Sequence, residues 1–236
     1  MEISAERASI VSAVHEGRTV YDNIRKVITW TLPTNGGETL AVVAAILLGF
    51  TLPMTATQIL WINLVLAATL GLVLAFEPPE AGVMRRPPRR ADAPLLSPFL
   101  LWRVLLVSVL LSAAALGVFF HAQAAGRGLE VARTMVVNML VVAEIFYLFN
   151  VRYLHMRSLT WRGALGTPAV LAAIAVVVAA QLVFTYAPFM HDLFGSRPLM
   201  LADGALIIGI GAGMMLFLEG EKLLMRRLGW FEELRS

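Results

Sequence analysis

Beyond its first thirty residues, the chain falls into apolar runs of membrane length, parted by shorter segments that hold most of its charge. A helix of about twenty residues is about 30 Å long, the thickness of a bilayer's hydrocarbon core. In that medium every backbone polar group must be satisfied within the segment, so such runs have to be helices. Six are expected. The first follows Glu38 and ends near Gly49-Phe50, and the others cover about 56–76, 99–120, 131–149, 168–186 and 199–218. Charged residues make up 15% of the 236-residue chain and hydrophobic ones 58%, against about 25% charged in globular domains. The fold class is therefore all-α: a polytopic membrane protein with a six-helix transmembrane bundle in the lipid bilayer. There is no cysteine, hence no disulfide framework and no thiolate metal site. The net charge of +3 is small, and basic residues in such a chain report topology first, so no nucleic-acid partner is expected.

The first thirty residues carry charges throughout and have no apolar core, so no signal peptide is expected. Residues 3–30 read instead as an amphipathic helix. Ile10, Val14, Val20, Ile24, Val27 and Ile28 are spaced for one face, with Glu16, Arg18, Asp22, Arg25 and Lys26 between them. This helix is expected to continue into the first span as a stalk. The resulting organisation is a cytoplasmic stalk helix at 1–29, a membrane domain at 30–220 and a cytoplasmic tail at 221–236.

Where stalk and bilayer meet stands Leu32-Pro33-Thr34-Asn35-Gly36-Gly37-Glu38. A carboxylate in a bilayer is expensive, and its default reading is functional. Pro33 removes a backbone donor and Gly36-Gly37 loosen the helix, so carbonyls here are expected to turn toward a ligand. Asn35 and Glu38 are three apart, on one helix face, separated by about 4.5 Å along the axis. A broken helix, free carbonyls and a carboxylate can make a cation site. The alternative is a kinked helix whose Glu38 lies near the interface.

The other spans carry few polar groups. Asn63 interrupts the second and must find a partner, for which a helix–helix hydrogen bond suffices. Glu144 lies deep in the fourth, which also holds Arg133 and Asn138; Arg103 lies near the start of the third. Gln181 is the polar group of the fifth. Gly209, Gly211 and Gly213 in the sixth read as a packing face. Fifteen of the 19 Lys+Arg fall in the segments on one side of six spans, including Arg85, Arg86, Arg89 and Arg90 of a proline-rich loop. Only Arg127 and Arg197 lie in the opposite loops. The bias toward one side predicts both termini in the cytoplasm, for a multi-pass protein expected in the plasma membrane.

Several stretches together resemble P-type cation-transporting ATPases. Glu16-Gly17-Arg18-Thr19-Val20-Tyr21-Asp22-Asn23-Ile24 resembles the stalk signature before their fifth transmembrane helix. Asn35-Gly36-Gly37-Glu38 is similar to the Asn-x-x-Glu of that helix, and Trp61-Ile62-Asn63-Leu64-Val65 to the start of their sixth-helix site. Phe76-Glu77-Pro78-Pro79-Glu80 with Met84-Arg85-Arg86-Pro87-Pro88-Arg89 resembles the loop between their sixth and seventh helices. The resemblance is to the calcium- and sodium-pump-like branch in bacterial form, strongest from Ser9 to Arg90. It implies that the six spans are helices five to ten, and that Asn35, Glu38, Asn63 and Glu144 are ligands of a transported cation. In calcium pumps the sixth helix continues Asn-x-x-Thr-Asp; here Leu66 and Ala67 stand in those places, which puts a two-calcium site in doubt.

The family's Asp-Lys-Thr-Gly phosphorylation motif, Thr-Gly-Glu loop and Gly-Asp-Gly-x-x-Asn-Asp hinge do not occur in these 236 residues, nor does a Walker-type phosphate loop. Met1 to Ile10 resembles the end of the phosphorylation domain. The expectation is thus the transport part of a pump, lacking its phosphorylation, nucleotide-binding and actuator domains and not competent in ATP hydrolysis alone. Its partner would be the N-terminal remainder, with four further helices, and ATP and Mg would enter only through that remainder. The other reading is a standalone pump-derived module, a passive or secondary cation permease or a structural subunit. Under a plainer reading of the site, Glu38 and Glu144 are merely protonated or paired with Arg133 or Arg103.

Overall fold

The computed structural model describes residues 2–79, 82–85, 95–152 and 167–230, with side chains from residue 9 onward. Most of the basic proline-rich loop (Arg86, Arg89, Arg90), the basic residues Arg157 and Arg162, and the tail from 231 onward lie outside the described residues. Among the described residues all regular structure is helical. In chain order these are α1 (Glu2–Leu47), α2 (Ala56–Leu66) running through a π-helical segment (Ala67–Gly71) into α3 (Leu72–Ala75), and a 3-10 turn (Val83–Arg85). There follow α4 (Pro98–Ala124), α5 (Leu129–Arg152), α6 (Pro168–Tyr186), a short α7 (Pro188–Phe194) and α8 (Leu201–Leu228). Five stretches are long and apolar enough to cross a membrane: Ala56–Ala75, α4, α5, α6 and α8. The remaining expected span is the C-terminal part of α1, whose polar residues 34–38 lower its apolarity. The molecule is a polytopic membrane bundle.

The helix ends follow from local chemistry. α1 stops at a Schellman arrangement: Gly49 takes φ +71°, and the Phe50 N–H reaches back to the Ala45 carbonyl at 2.8 Å. Thr55 and Gln58 form a capping box at the start of α2, and the Gln58 amide then donates to the Phe194 carbonyl at 3.0 Å, tying α2 to α7. Ser97-Pro98 and Thr167-Pro168 place a hydroxyl cap before a proline at the first helical position of α4 and α6. α8 outlasts the expected sixth span by ten residues and stops at Gly229, φ +62°, after a last turn holding Arg226 and Arg227. Polarity ended the apolar run at Leu218, whereas Glu219 to Leu228, Gly220 apart, are good helix formers, so the helix continues.

The core is built around α5, whose membrane window is 72% buried, against a third or less for the other spans. α1 packs chiefly on α4, and α5 on α4 and α8. Small residues set two of these contacts. A Cβ on Gly37 would lie 2.6 Å from the Leu111 Cβ, and one on Gly36 would run into the Ser108 hydroxyl, both on α4. On α8, Gly211 abuts Phe146 and Val142 of α5, whereas Gly209 and Gly213 have nothing within 4 Å. The packing face therefore reduces to one of the three glycines.

Two expectations about α1 need correcting. The helix is not broken: it runs unbroken through Pro33. Proline removes the N–H that would bond the Thr29 carbonyl. That carbonyl instead accepts the Tyr147 hydroxyl of α5 at 3.0 Å, and the Pro33 carbonyl accepts the Ser108 hydroxyl at 3.1 Å. The freed backbone oxygen is thus turned to a neighbouring helix, not to a ligand. Gly36 and Gly37 likewise serve close approach of α4. The disturbed helix is the second span, where five residues from Ala67 take π geometry.

At one end of the bundle, buried and half-buried side chains tie the stalk half of α1 to the segment after the second span. Asn23 donates to the carbonyls of Ala75 (3.2 Å) and Glu77 (2.8 Å), Arg18 donates to the Val83 carbonyl (2.8 Å), and Arg152 of α5 pairs with Glu77 at 2.7 Å. Nearby, Arg103 of α4 bonds Glu221 of α8 and Asn150 of α5, whose amide donates to Glu219 at 2.8 Å. At the opposite end Arg127 pairs with Asp203 (3.0 Å) and Arg197 with Glu130 (2.7 Å).

Candidate functional site

A cavity of about 370 Å³ lies between α1, the second span and α5. Asn35, Asn63 and Glu144 line it. Glu38, one turn beyond Asn35, is 4% exposed and reaches the cavity through Asn63: the Asn63 Nδ2 donates to Glu38 Oε2 at 2.7 Å and to the Ile59 carbonyl at 3.0 Å. All four residues singled out in the sequence thus meet around one space, three on its wall and the fourth behind Asn63.

The positions follow from the packing. With Gly36 and Gly37 turned against α4, the adjoining Asn35 and Glu38 face the second span and α5. α5 is held by the Tyr147 bond to Thr29 and by Trp30, whose indole N–H donates to the Glu144 backbone carbonyl at 3.2 Å. Glu144 is 2% exposed, and its Oε1 has no hydrogen-bond partner among the described residues. A buried polar atom left unpaired is uncommon and calls for a ligand or a functional reason.

Neither arginine weighed as a partner serves these carboxylates. Arg103 is bound to Glu221, Asn150 and the Leu218 carbonyl, and the Arg133 Nε donates to the Leu52 carbonyl at 3.1 Å. Gln181 lies elsewhere, accepting the Trp61 indole N–H at 3.4 Å beside the stacked Trp61–Phe184 pair. Among the described residues, no group of three or more His, Cys, Asp or Glu side chains could hold a metal ion. Any cation here would rest on two carboxylates, two amides and backbone or hydroxyl oxygens.

Three cavity residues with polar side-chain groups were not among the predicted site residues: Trp30, Thr31 and Thr34. The two threonines precede Asn35 and Glu38 by four residues each, so helical spacing was a usable signal. The Thr34 hydroxyl, however, donates to the Thr31 carbonyl at 3.1 Å. Leu66 and Ala67 also line the cavity, so the positions where the sequence departs from the calcium-pump pattern lie on its wall.

Comparisons with known proteins agree with this architecture. Residues 51–224 match the family model described as "Cation transporting ATPase, C-terminus". The chain is 44% identical over 220 residues to "Probable cation-transporting ATPase F" of Mycobacterium tuberculosis, covering 93% of this chain and 24% of that protein. It is 39% identical over 197 residues to "Cation-transporting ATPase pma1" of Synechocystis, covering 81% and 22%. With the "Calcium-transporting ATPase" of Bacillus subtilis the identity is 31% over 223 residues, covering 93% and 25%. The chain thus spans about a quarter of the length of these relatives. It belongs to the P-type cation-transporting ATPase family, of which it is a C-terminal membrane region.

Proposed function

We propose that this chain is the membrane transport portion of an ATP-driven cation pump and carries part of its intramembrane cation site. Asn35, Glu38, Asn63 and Glu144 are the ligands. The chain acts together with a remainder that supplies four more membrane helices and the phosphorylation, nucleotide-binding and actuator domains. ATP and Mg act only in that remainder. The protein lies in the plasma membrane with both termini cytoplasmic, the orientation that the bias of its loop charges favours.

One observation carries this reading: a fully buried glutamate, Glu144, with an unpaired oxygen on the wall of a cavity shared with Asn35 and Asn63. An isolated carboxylate costs several kcal/mol to desolvate, at least about as much as an ion pair returns, and a bound cation offsets that cost. The names of the relatives, which are cation- and calcium-transporting ATPases, favour the same chemistry.

The test uses the longer pump that contains this sequence, in membrane vesicles. Glu38→Gln and Glu144→Gln should each sharply lower cation-stimulated ATP turnover, because each removes a buried carboxylate from the cation site. Gln181→Leu, outside the cavity, should change it little. Equal and small effects from all three would place the cation site elsewhere.

A further inference from the structure

α8 has 28 residues and is about 42 Å long, well beyond a hydrocarbon core of about 30 Å. Its excess lies at the stalk end of the bundle, where Arg103 of α4 bonds Glu221 and Asn150 of α5 donates to Glu219. Trp102, in the first turns of α4, is 39% exposed and donates its indole N–H to Glu221 at 2.9 Å. A tryptophan with its ring partly exposed and its N–H on a carboxylate marks the level of the membrane–water interface. α8 therefore leaves the acyl chains near Glu221.

A groove of about 480 Å³ runs along α8 at that level. Leu216 lies about 7.5 Å to the bilayer side of Glu221, and Arg226 about 7.5 Å to the water side. Leu216, Gly220, Leu223 and Arg227 follow at intervals of three or four, so they share one helix face. Gly220 leaves a notch in it, with nothing within 4 Å of a Cβ position. Lys222 also lines the groove and is 3% exposed, held on its other side in a small space with Phe99 and Asn150.

The groove wall holds three cationic side chains, Lys222, Arg226 and Arg227, against one carboxylate, Glu219. The two arginines also complement the negative end of the helix dipole. That role requires no groove, no apolar strip below it and no buried lysine one turn earlier. An anionic head above an apolar tail matches all of them.

We infer that this groove binds the phosphate headgroup of an anionic phospholipid. Arg226 and Arg227 face the phosphate oxygens, which guanidinium forks fit in pairs, Lys222 adds a fixed charge, and an acyl chain lies along Leu223 and Leu216. The groove is on the stalk side, so the proposed orientation puts it in the cytoplasmic leaflet, where anionic lipids attract basic groups. None of its residues lines the cation cavity, so the lipid site and the cation site stand or fall separately.

The test is native mass spectrometry of the detergent-purified full pump, titrated with phosphatidylglycerol or with phosphatidylcholine of the same acyl chains. One phosphatidylglycerol should bind at least about tenfold more tightly than phosphatidylcholine. Arg226→Gln with Arg227→Gln should weaken it about thirtyfold, the worth of two basic residues at about 1 kcal/mol each. Arg133→Gln with Arg197→Gln removes the same charge at the opposite end, beyond a Debye length, and should change it less than about threefold. Equal weakening by the two pairs would overturn the inference in favour of diffuse attraction, and so would equal binding of the two lipids. Leu223→Gln should weaken phosphatidylglycerol binding as well. If it does not, and inorganic phosphate displaces the lipid, the groove takes a free anion and the lipid assignment fails. Leu223 is 41% exposed, so its variant keeps the inference testable should the arginine pair not fold.

Discussion

The bond from Tyr147 to Thr29 makes a quantitative test of how α1 survives its proline. Pro33 has no N–H, so the Thr29 carbonyl four residues earlier loses its helical partner. The Tyr147 hydroxyl takes that place at 3.0 Å, in a site where Tyr147 is 1% exposed. Tyr147→Phe removes only the hydroxyl and leaves a buried acceptor unsatisfied, which costs about 1–3 kcal/mol. Hydrogen bonds between membrane helices fall toward the lower part of that range, so about 1–2 kcal/mol is expected here. Pro33→Ala restores an N–H that can reach the Thr29 carbonyl. In that background Tyr147→Phe should cost well under about 1 kcal/mol, giving a coupling energy of about 1 kcal/mol between two residues on different helices. Reversible unfolding of the purified chain in mixed maltoside–SDS micelles, followed by tryptophan fluorescence, measures all four corners of the cycle. Equal losses from Tyr147→Phe in both backgrounds would show that the hydroxyl acts through something other than the carbonyl freed by proline.

Two further outcomes follow from the packing and the charges. Gly37→Ala brings a methyl to 2.6 Å from the Leu111 Cβ and should destabilise the chain by about 1–3 kcal/mol in the same assay, net of the higher helix propensity of alanine. Gly17→Ala, with nothing within 4 Å, should stabilise it by up to about 1 kcal/mol; a gain from both changes would refute close packing at Gly37. Because the chain has no cysteine, single cysteines report topology cleanly. Pro88→Cys should react with an impermeant maleimide only in opened cells and Gly128→Cys in intact ones, and the reverse pattern would invert the proposed orientation.

The spans were legible because the bilayer imposes a single requirement, about twenty apolar residues, and the chain meets it repeatedly. The convergence of the candidate residues was legible for a related reason: Glu38, Asn63 and Glu144 are costly where they stand, so their presence is itself information. The features that escaped depend on partners far along the chain. Pro33 and the Gly36-Gly37 pair suggest a broken helix when read locally. The groups that keep it whole or occupy its notches, Tyr147, Ser108 and Leu111, lie on α4 and α5. The π segment Ala67–Gly71 has no signature in Ala-Ala-Thr-Leu-Gly, because its geometry is a matter of hydrogen-bond register. The short helix α7 is too brief for periodicity to show, and the last ten residues of α8 are too polar to read as part of a span.

The treatment of charge elsewhere in the bundle explains why Glu144 stands out. Arg152 is matched to Glu77, Arg103 to Glu221, Arg127 to Asp203 and Arg197 to Glu130, all toward the ends of the helices. Where burial is deepest, as for Arg152 and Arg103, the pair is backed by the near-complete enclosure that makes breaking it expensive, about 3–5 kcal/mol for removing one partner. This is how the fold handles charges that hold helices together. Glu38 and Glu144 depart from it. Among the described residues neither has a basic partner: one is met by an amide, and the other keeps a bare oxygen toward a cavity. A structural role would be served more cheaply by a leucine at either position, since apolar replacement of buried charge is commonly neutral or stabilising. What a leucine could not do is bind a cation in the bilayer and release it again, which is the demand the proposed function places on the two carboxylates.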